Sequence, residues 1–307
     1  MLIIALAFIF ISSFIFNLKV DRKDVSVPTE TASLSFPPVT LGAKAVYVYD
    51  IRTKTVLFVK NENTRLPLAS LTKVMSALVA EDASPLYGTV TISREALLAE
   101  GDSGLIEDEK WSLSNLLDFS LMTSSNDGMR AVALAFGALA RADATTDEII
   151  DGFVGEMNNK ASALGLKNTY FWNETGLDLP TGLGQAGESE IKGGAYGTAK
   201  DMSTLMEYIL MHHPELFAAT RETTSTLQSM DEHAHVARNT NIIADEIPGL
   251  LASKTGFTNT AGGNLVVVFD PELGRPIIIS ILGSTEKGRF EDVRILIGAV
   301  MEYIKTN

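Results

Sequence analysis

The chain has 307 residues, 46% apolar and 21% charged, enough for one large or two small folded domains with a substantial core. A formal net charge of −13 repels phosphate backbones, which excludes nucleic acid as an expected partner. There is no cysteine, and so no disulfide, no thiolate catalysis and no cysteine-held zinc or iron–sulfur centre.

The first element in chain order is "MLIIALAFIFISSFIFNL", Met1 to Leu18, without one charged side chain. As a helix it would span about 27 Å, close to a hydrocarbon core of roughly 30 Å. No small-x-small cleavage site follows it, so residues 1–18 are expected to act as a retained N-terminal membrane anchor, an uncleaved signal. Lys19, Arg22 and Lys23 lie behind the segment and no basic residue precedes it, a placement that the positive-inside rule associates with a cytoplasmic domain. Residues 19–42 are rich in Pro, Ser and Thr without an apolar period and read as a linker. Residues 43–307 are expected to be the folded domain.

That domain opens with "KAVYVYDI" and "TVLFVK", β-rich runs separated by "RTK", which predict a hairpin. From Ser70 the apolar residues Leu71, Val74, Met75, Leu78 and Val79 follow a helical period. A mainly helical middle follows in "SLSNLLDFSLMT", "GMRAVALAFGALA", "TTDEIIDGFVGEMNNKASALG" and "TAKDMSTLMEYILMHH". Asp147 and Glu148 suit the start of the third of these. The segment 181–197 is Gly-rich and is expected to be an exposed loop. Strands return as "GNLVVVFD" and "PIIISILG", before a last helix from about Phe290 to Ile304. Strands at both ends with helices between predict an α+β fold: one antiparallel sheet from both chain ends, flanked by helices, with a helical subdomain inserted.

The pattern Ser-x-x-Lys occurs at Ser70–Lys73, Ser189–Lys192 and Ser284–Lys287. Only Ser70 sits at the first turn of a predicted helix, where residues three apart share a face and unpaired N–H groups favour developing negative charge. An ordinary lysine is neutral at pH 7 in only about one molecule in 2,500, so Lys73 needs burial or a second cation to serve as a base. Two further motifs supply polar partners. Ser124-Ser125-Asn126 stands at a helix-to-helix junction, and Lys254-Thr255-Gly256 ends a predicted strand where Gly256 leaves room for a substrate backbone. Taken singly, the first could be a helix cap and the second a strand end with a surface lysine.

Together and in this order, the three motifs resemble those of the penicillin-recognising serine enzymes. The chain resembles a D-alanyl-D-alanine carboxypeptidase of the low-molecular-mass penicillin-binding proteins, the S11 type of serine peptidase. The likeness runs from about Ala43 to Ile304 and includes "ALGLKNTYFWNETGLD" and "GSTEKGRFEDVRILIG". It implies a β-lactamase/transpeptidase-like fold with a five-stranded sheet. It further implies a peptidoglycan stem peptide ending in D-Ala-D-Ala as substrate, β-lactams as covalent inhibitors, no cofactor or metal, and a place on the outer face of the bacterial cytoplasmic membrane.

By the same resemblance Ser70 is the nucleophile and Lys73 its base. Ser124 relays a proton to the leaving D-alanine, and Asn126 orients Lys73 and the substrate amide. Lys254 and Thr255, with Gly256 beside them, hold the terminal carboxylate, and Lys254 helps depress the pKa of Lys73. Arg289 supports carboxylate recognition, with a surface salt bridge as its plainer reading. The oxyanion hole is assigned to the N–H groups of Ser70 and Phe257. The pairs His212/His213 and His233/His235 are not expected to join a triad or a metal site, and Glu174 in "NETGLD" is expected in a turn beneath the site. A D,D-endopeptidase on cross-links shares these motifs. A β-lactamase fits less well, because its deacylation glutamate motif is missing, and the intact motif set argues against a non-catalytic binder.

Overall fold

A computed structural model describes residues 35–83, 88–140, 143–180 and 191–306. The expected anchor 1–18, the linker up to residue 34 and Ser189 lie outside the described residues. Among the described residues no helix is long and apolar enough to cross a membrane.

Five strands form the central sheet: β1 (Ala45–Asp50), β2 (Thr55–Lys60), β3 (Leu250–Thr258), β4 (Gly262–Phe269) and β5 (Ile277–Ser284). Their order is β3-β4-β5-β1-β2, and every neighbouring pair is antiparallel. The two chain ends therefore share one sheet, joined through the β1–β5 pair. This is the fold class that the pattern of elements predicts. Nearly every residue of β4 and β5 is buried because both faces of the sheet are covered. Val46, Val48, Val267, Ile279 and Ile281 face a core layer completed by Val293, Leu296 and Val300 of the last helix. The alternating residues Ala45, Tyr47, Val266, Val268 and Ile278 face the larger layer of the inserted helices. The two-residue side-chain period of a strand divides the apolar runs between the layers.

The helices are α1 (Thr72–Ala83), α2 (Leu113–Thr123), α3 (Asn126–Ala140), α4 (Thr146–Ala163), α5 (Ala199–His212) and α6 (Gly288–Thr306). Sequence explains their starts. Thr145 and Glu148 form a reciprocal capping box on α4, and the Thr198 hydroxyl caps α5. The helical middle also contains a hairpin that its sequence did not announce, Thr224–Gln228 paired with Ala234–Arg238. The "RTK" turn does without glycine because Lys54 itself takes φ +56.

Candidate active site

Ser70 lies in a single 3-10 turn, Ala69–Leu71, that feeds α1. The residue before it, Ala69, has φ +48, a left-handed conformation that costs an L-residue roughly 1–2 kcal/mol. Its surroundings hold it there. The Thr72 hydroxyl donates to the Ala69 carbonyl at 2.7 Å. Buried Asn264 of β4 donates to the carbonyls of Pro67 (2.9 Å) and Leu68 (3.0 Å) and accepts from the Gly283 N–H at 2.8 Å. Gly176 packs so close that a Cβ on it would stand 1.9 Å from the Ala69 oxygen. A strained turn persists only when its neighbours over-determine it, and these contacts do so.

One helical turn on, Lys73 is completely buried. Its Nζ lies 2.9 Å from Ser70 Oγ, 2.6 Å from Asn126 Oδ1 and 2.9 Å from the Thr175 carbonyl. Burial pulls the Lys73 pKa down to about 7, opposed by the negative charge of Glu174. A neutral amine has two N–H donors and one lone pair. Asn126 and Thr175 take the two donors, which leaves the lone pair for the Ser70 hydroxyl.

The Ser124-Ser125-Asn126 motif divides its labour. The capping reading applies to Ser125, whose hydroxyl accepts from the Gly128 N–H at 2.9 Å at the start of α3. Ser124, left-handed at φ +61 behind α2, accepts from Lys254 Nζ at 2.9 Å. Asn126 donates its Nδ2 to the Glu100 carbonyl at 2.6 Å, which turns its oxygen to Lys73.

Lys254 is 1% exposed, so it is no surface lysine, and its motif lies inside β3 rather than at its end. The strand continues because Phe257 and Thr258 still pair with Gly263 and Gly262 across a tight turn. The two lysines are electrostatically coupled. Burial first, then the charges of Lys73 and Arg289, hold Lys254 well below the usual ammonium range. For Lys73 the lowering cause is burial, with the charge of Glu174 opposing it.

β3 is an edge strand, and its open side runs beside the nucleophile. A Cβ on Gly256 would stand 2.8 Å from the Leu68 oxygen and 3.2 Å from the Ser70 nitrogen, so only glycine allows this approach. Thr255 is buried with its hydroxyl 2.6 Å from that of Thr240. Phe257 follows on the same strand and is 40% exposed. Among the described residues Arg289 makes no salt bridge: it is buried, donates Nη1 to the Gly256 carbonyl at 2.8 Å, and finds no hydrogen-bond partner for Nε.

The remaining candidates stand elsewhere. Lys192 lies 3.5 Å from the centre of the Trp172 ring, and the Ser284 hydroxyl donates to Asp292 at 2.6 Å. His213 contacts Glu81 and Asp82, while His233 and His235 share Glu109. Glu174 is buried against Arg130 at 3.0 Å, in the turn beneath α1. Sequence reasoning missed Thr175, which acts through a backbone carbonyl, and Thr240. It also missed Asn264, although an amide inside "GGNLVVVF" is itself a signal.

Comparison with known proteins agrees with this geometry. The family model described as D-alanyl-D-alanine carboxypeptidase, peptidase S11, matches residues 30–285. Arg289 lies beyond that match. The D-alanyl-D-alanine carboxypeptidase DacB2 of Mycobacterium tuberculosis is 28% identical over 247 residues, 80% of this chain and 77% of that protein. A D-alanyl-D-alanine endopeptidase of Pseudomonas aeruginosa is 29% identical over 263 residues, 79% of this chain and 74% of that one. The ampicillin-bound structure of penicillin-binding protein D2 from Listeria monocytogenes superposes with a TM-score of 0.67 at 27% identity, covering 86% of this chain and 99% of that one. With five-sixths of its length inside one family pattern and the fold to match, this chain belongs to the S11 serine hydrolases, within the low-molecular-mass penicillin-binding proteins.

Proposed function

We propose that the protein is a serine-type D-Ala-D-Ala carboxypeptidase that trims the terminal D-alanine from peptidoglycan stem peptides. The observation that carries this reading is the buried Lys73 amine, 2.9 Å from Ser70 Oγ with a pKa near 7. Ser70 Oγ attacks the carbonyl between the two D-alanines and gives its proton to Lys73. The C–N bond breaks, the Ser70 ester forms, and a proton passing by Ser124 reaches the leaving amine. Water then cleaves the ester and restores Ser70. Asn126 keeps Lys73 in place, and the N–H groups of Ser70 and Phe257 receive the oxyanion, each such donor being worth roughly 10²–10³ in rate. The substrate backbone adds to the open edge of β3 beside Gly256. Its carboxylate meets Thr255, Lys254 and the unpartnered Nε of Arg289.

β-Lactams enter as covalent acylators of Ser70, in keeping with the ampicillin-bound relative. Family membership implies a cell-envelope location. We assign residues 1–18 to membrane attachment, residues 19–42 to the linker and residues 43–307 to the catalytic domain, on the outer side of the membrane.

The test is intact mass spectrometry of the full-length chain after adding benzylpenicillin, with D-alanine release from a D-Ala-D-Ala peptide measured in parallel. A lasting adduct on Ser70 and release of D-alanine are expected, both absent in Ser70→Ala. Cleavage confined to cross-linked dimers would replace this reading with an endopeptidase. Drug destruction without an adduct would replace it with a β-lactamase.

A further inference from the structure

Asn264 of β4 is fully buried, and each polar atom of its side chain has a partner in another segment. Nδ2 donates to the Pro67 and Leu68 carbonyls, and Oδ1 accepts from the Gly283 N–H. Two carbonyls demand a donor and one N–H demands an acceptor, so only one orientation of the amide fits. The rest of β4, Leu265 to Phe269, is apolar. A buried amide is costly wherever its partners are missing, so one at this place in a core strand needs a reason.

Two features of the sheet aim it. The pairing of β4 with β5 shifts register between Gly263 and Leu265, so Asn264 faces both Leu282 and Gly283. Such a bulge disrupts the ladder and re-aims a side chain. Here the Gly283 N–H goes to the side chain of Asn264. On its other edge Asn264 pairs with Gly256 of β3, and residues directly opposite each other across a strand pair share a face of the sheet. The room that Gly256 leaves therefore adjoins the Asn264 amide. The Leu68 carbonyl fits between them, 3.0 Å from Nδ2 and 2.8 Å from where a Gly256 Cβ would stand.

The same carbonyl accepts from the Leu71 N–H at 3.2 Å, the bond that closes the turn carrying Ser70. The Ser70 nitrogen lies 3.2 Å from the Gly256 Cβ position, and Phe257 is the next residue along β3. One amide thus ties the turn that carries one assigned oxyanion donor to the strand pair that carries the other.

We infer that Asn264 is a positioning residue of the oxyanion hole, which fixes the Ser70 N–H relative to the Phe257 N–H without touching substrate. The inference rests on the oxyanion assignment in the proposed function and deepens it. An oxyanion hole acts on charge that develops in the transition state, so loosening it slows acylation and spares binding. Lys73 bonds to Ser70, Asn126 and Thr175, so its proton chemistry is spared as well.

The test follows benzylpenicillin acylation of the full-length protein by stopped flow, in wild type, Asn264→Asp and Asn264→Ala. The first substitution keeps the size and removes both donors, and the second removes the whole amide. Circular dichroism melts set a temperature at which each variant is folded. The acylation rate constant should fall about thirtyfold or more in both variants, with the dissociation constant of the non-covalent complex within about threefold of wild type. In Asn264→Ala, which adds no titrating group, the pH midpoint of acylation should stay near 7. A rate constant within about threefold of wild type in a folded variant would overturn the inference. A rate loss that comes with a rise of the midpoint would also overturn it, because a generally loosened site rehydrates Lys73 and raises its pKa. Failure of both variants to fold would overturn it too, by making Asn264 a residue of the fold alone. D-Alanine release by the wild type from a D-Ala-D-Ala peptide is read separately. Its absence would remove the carboxypeptidase and leave this inference to the penicillin data.

Discussion

At Lys73, chemistry depends on a proton that burial has made easy to lose. Below pH 7 the ammonium occupies the lone pair that Ser70 needs, and above it the amine is free. The rate of acylation by benzylpenicillin should therefore rise about tenfold per pH unit up to a midpoint near 7 and then level off. A flat profile from pH 5 to 9 in stopped-flow measurements would remove Lys73 as the base. Glu174 raises this pKa, so Glu174→Gln should move the midpoint to lower pH. The Ser70–Lys73 pairing was legible because an i,i+3 spacing in a helix fixes the shared face. The Thr175 contact was not, because a backbone carbonyl carries no signature of its residue type.

Among the elements, the turn Asn173–Leu177 shows how the nucleophile is fixed from outside its own helix. Asn173 Oδ1 accepts from the Gly176 N–H at 2.6 Å, and Gly176, at φ +81, lies against the Ala69 carbonyl. A methyl group there meets both a disfavoured φ and a backbone clash. Gly176→Ala should cost about 2–4 kcal/mol in urea unfolding and lower the acylation rate at least tenfold. Unchanged stability with unchanged acylation would show that this turn does not hold the nucleophile. Strand boundaries were less legible than helix starts. Lys-Thr-Gly looked like a strand end because glycine and threonine interrupt an apolar run, whereas cross-strand pairing carries β3 through them. The hairpin of Thr224–Gln228 with Ala234–Arg238 escaped notice because its strands bury few residues.

Over the whole molecule, the sheet separates two core layers with different duties. The layer of the inserted helices includes Leu68, Leu71 and Val74 around the nucleophile, while Leu296 and Val300 of α6 fill the opposite side. Leu296→Ala should therefore lose about 2–5 kcal/mol of stability and leave penicillin acylation within twofold of wild type. Coupled loss of both, measured at a temperature where the variant remains folded, would mean that the sheet transmits packing defects to the site.

The sequence by itself determined the α+β class, the pairing of the two chain ends, the helix caps and the order of the three motifs. The class, the caps and the motifs follow from local periodicity or from residue types at short spacing, and the pairing of the ends from strand patterns placed at both ends of the domain. Tertiary structure decided the protonation of the site. Lys73 loses its water to partners 53 and 102 residues away in the chain, Asn126 and Thr175. Lys254 is held by Ser124, 130 residues away. A lysine's charge depends on its desolvation, and desolvation is set by what the fold packs around it rather than by its neighbours in sequence.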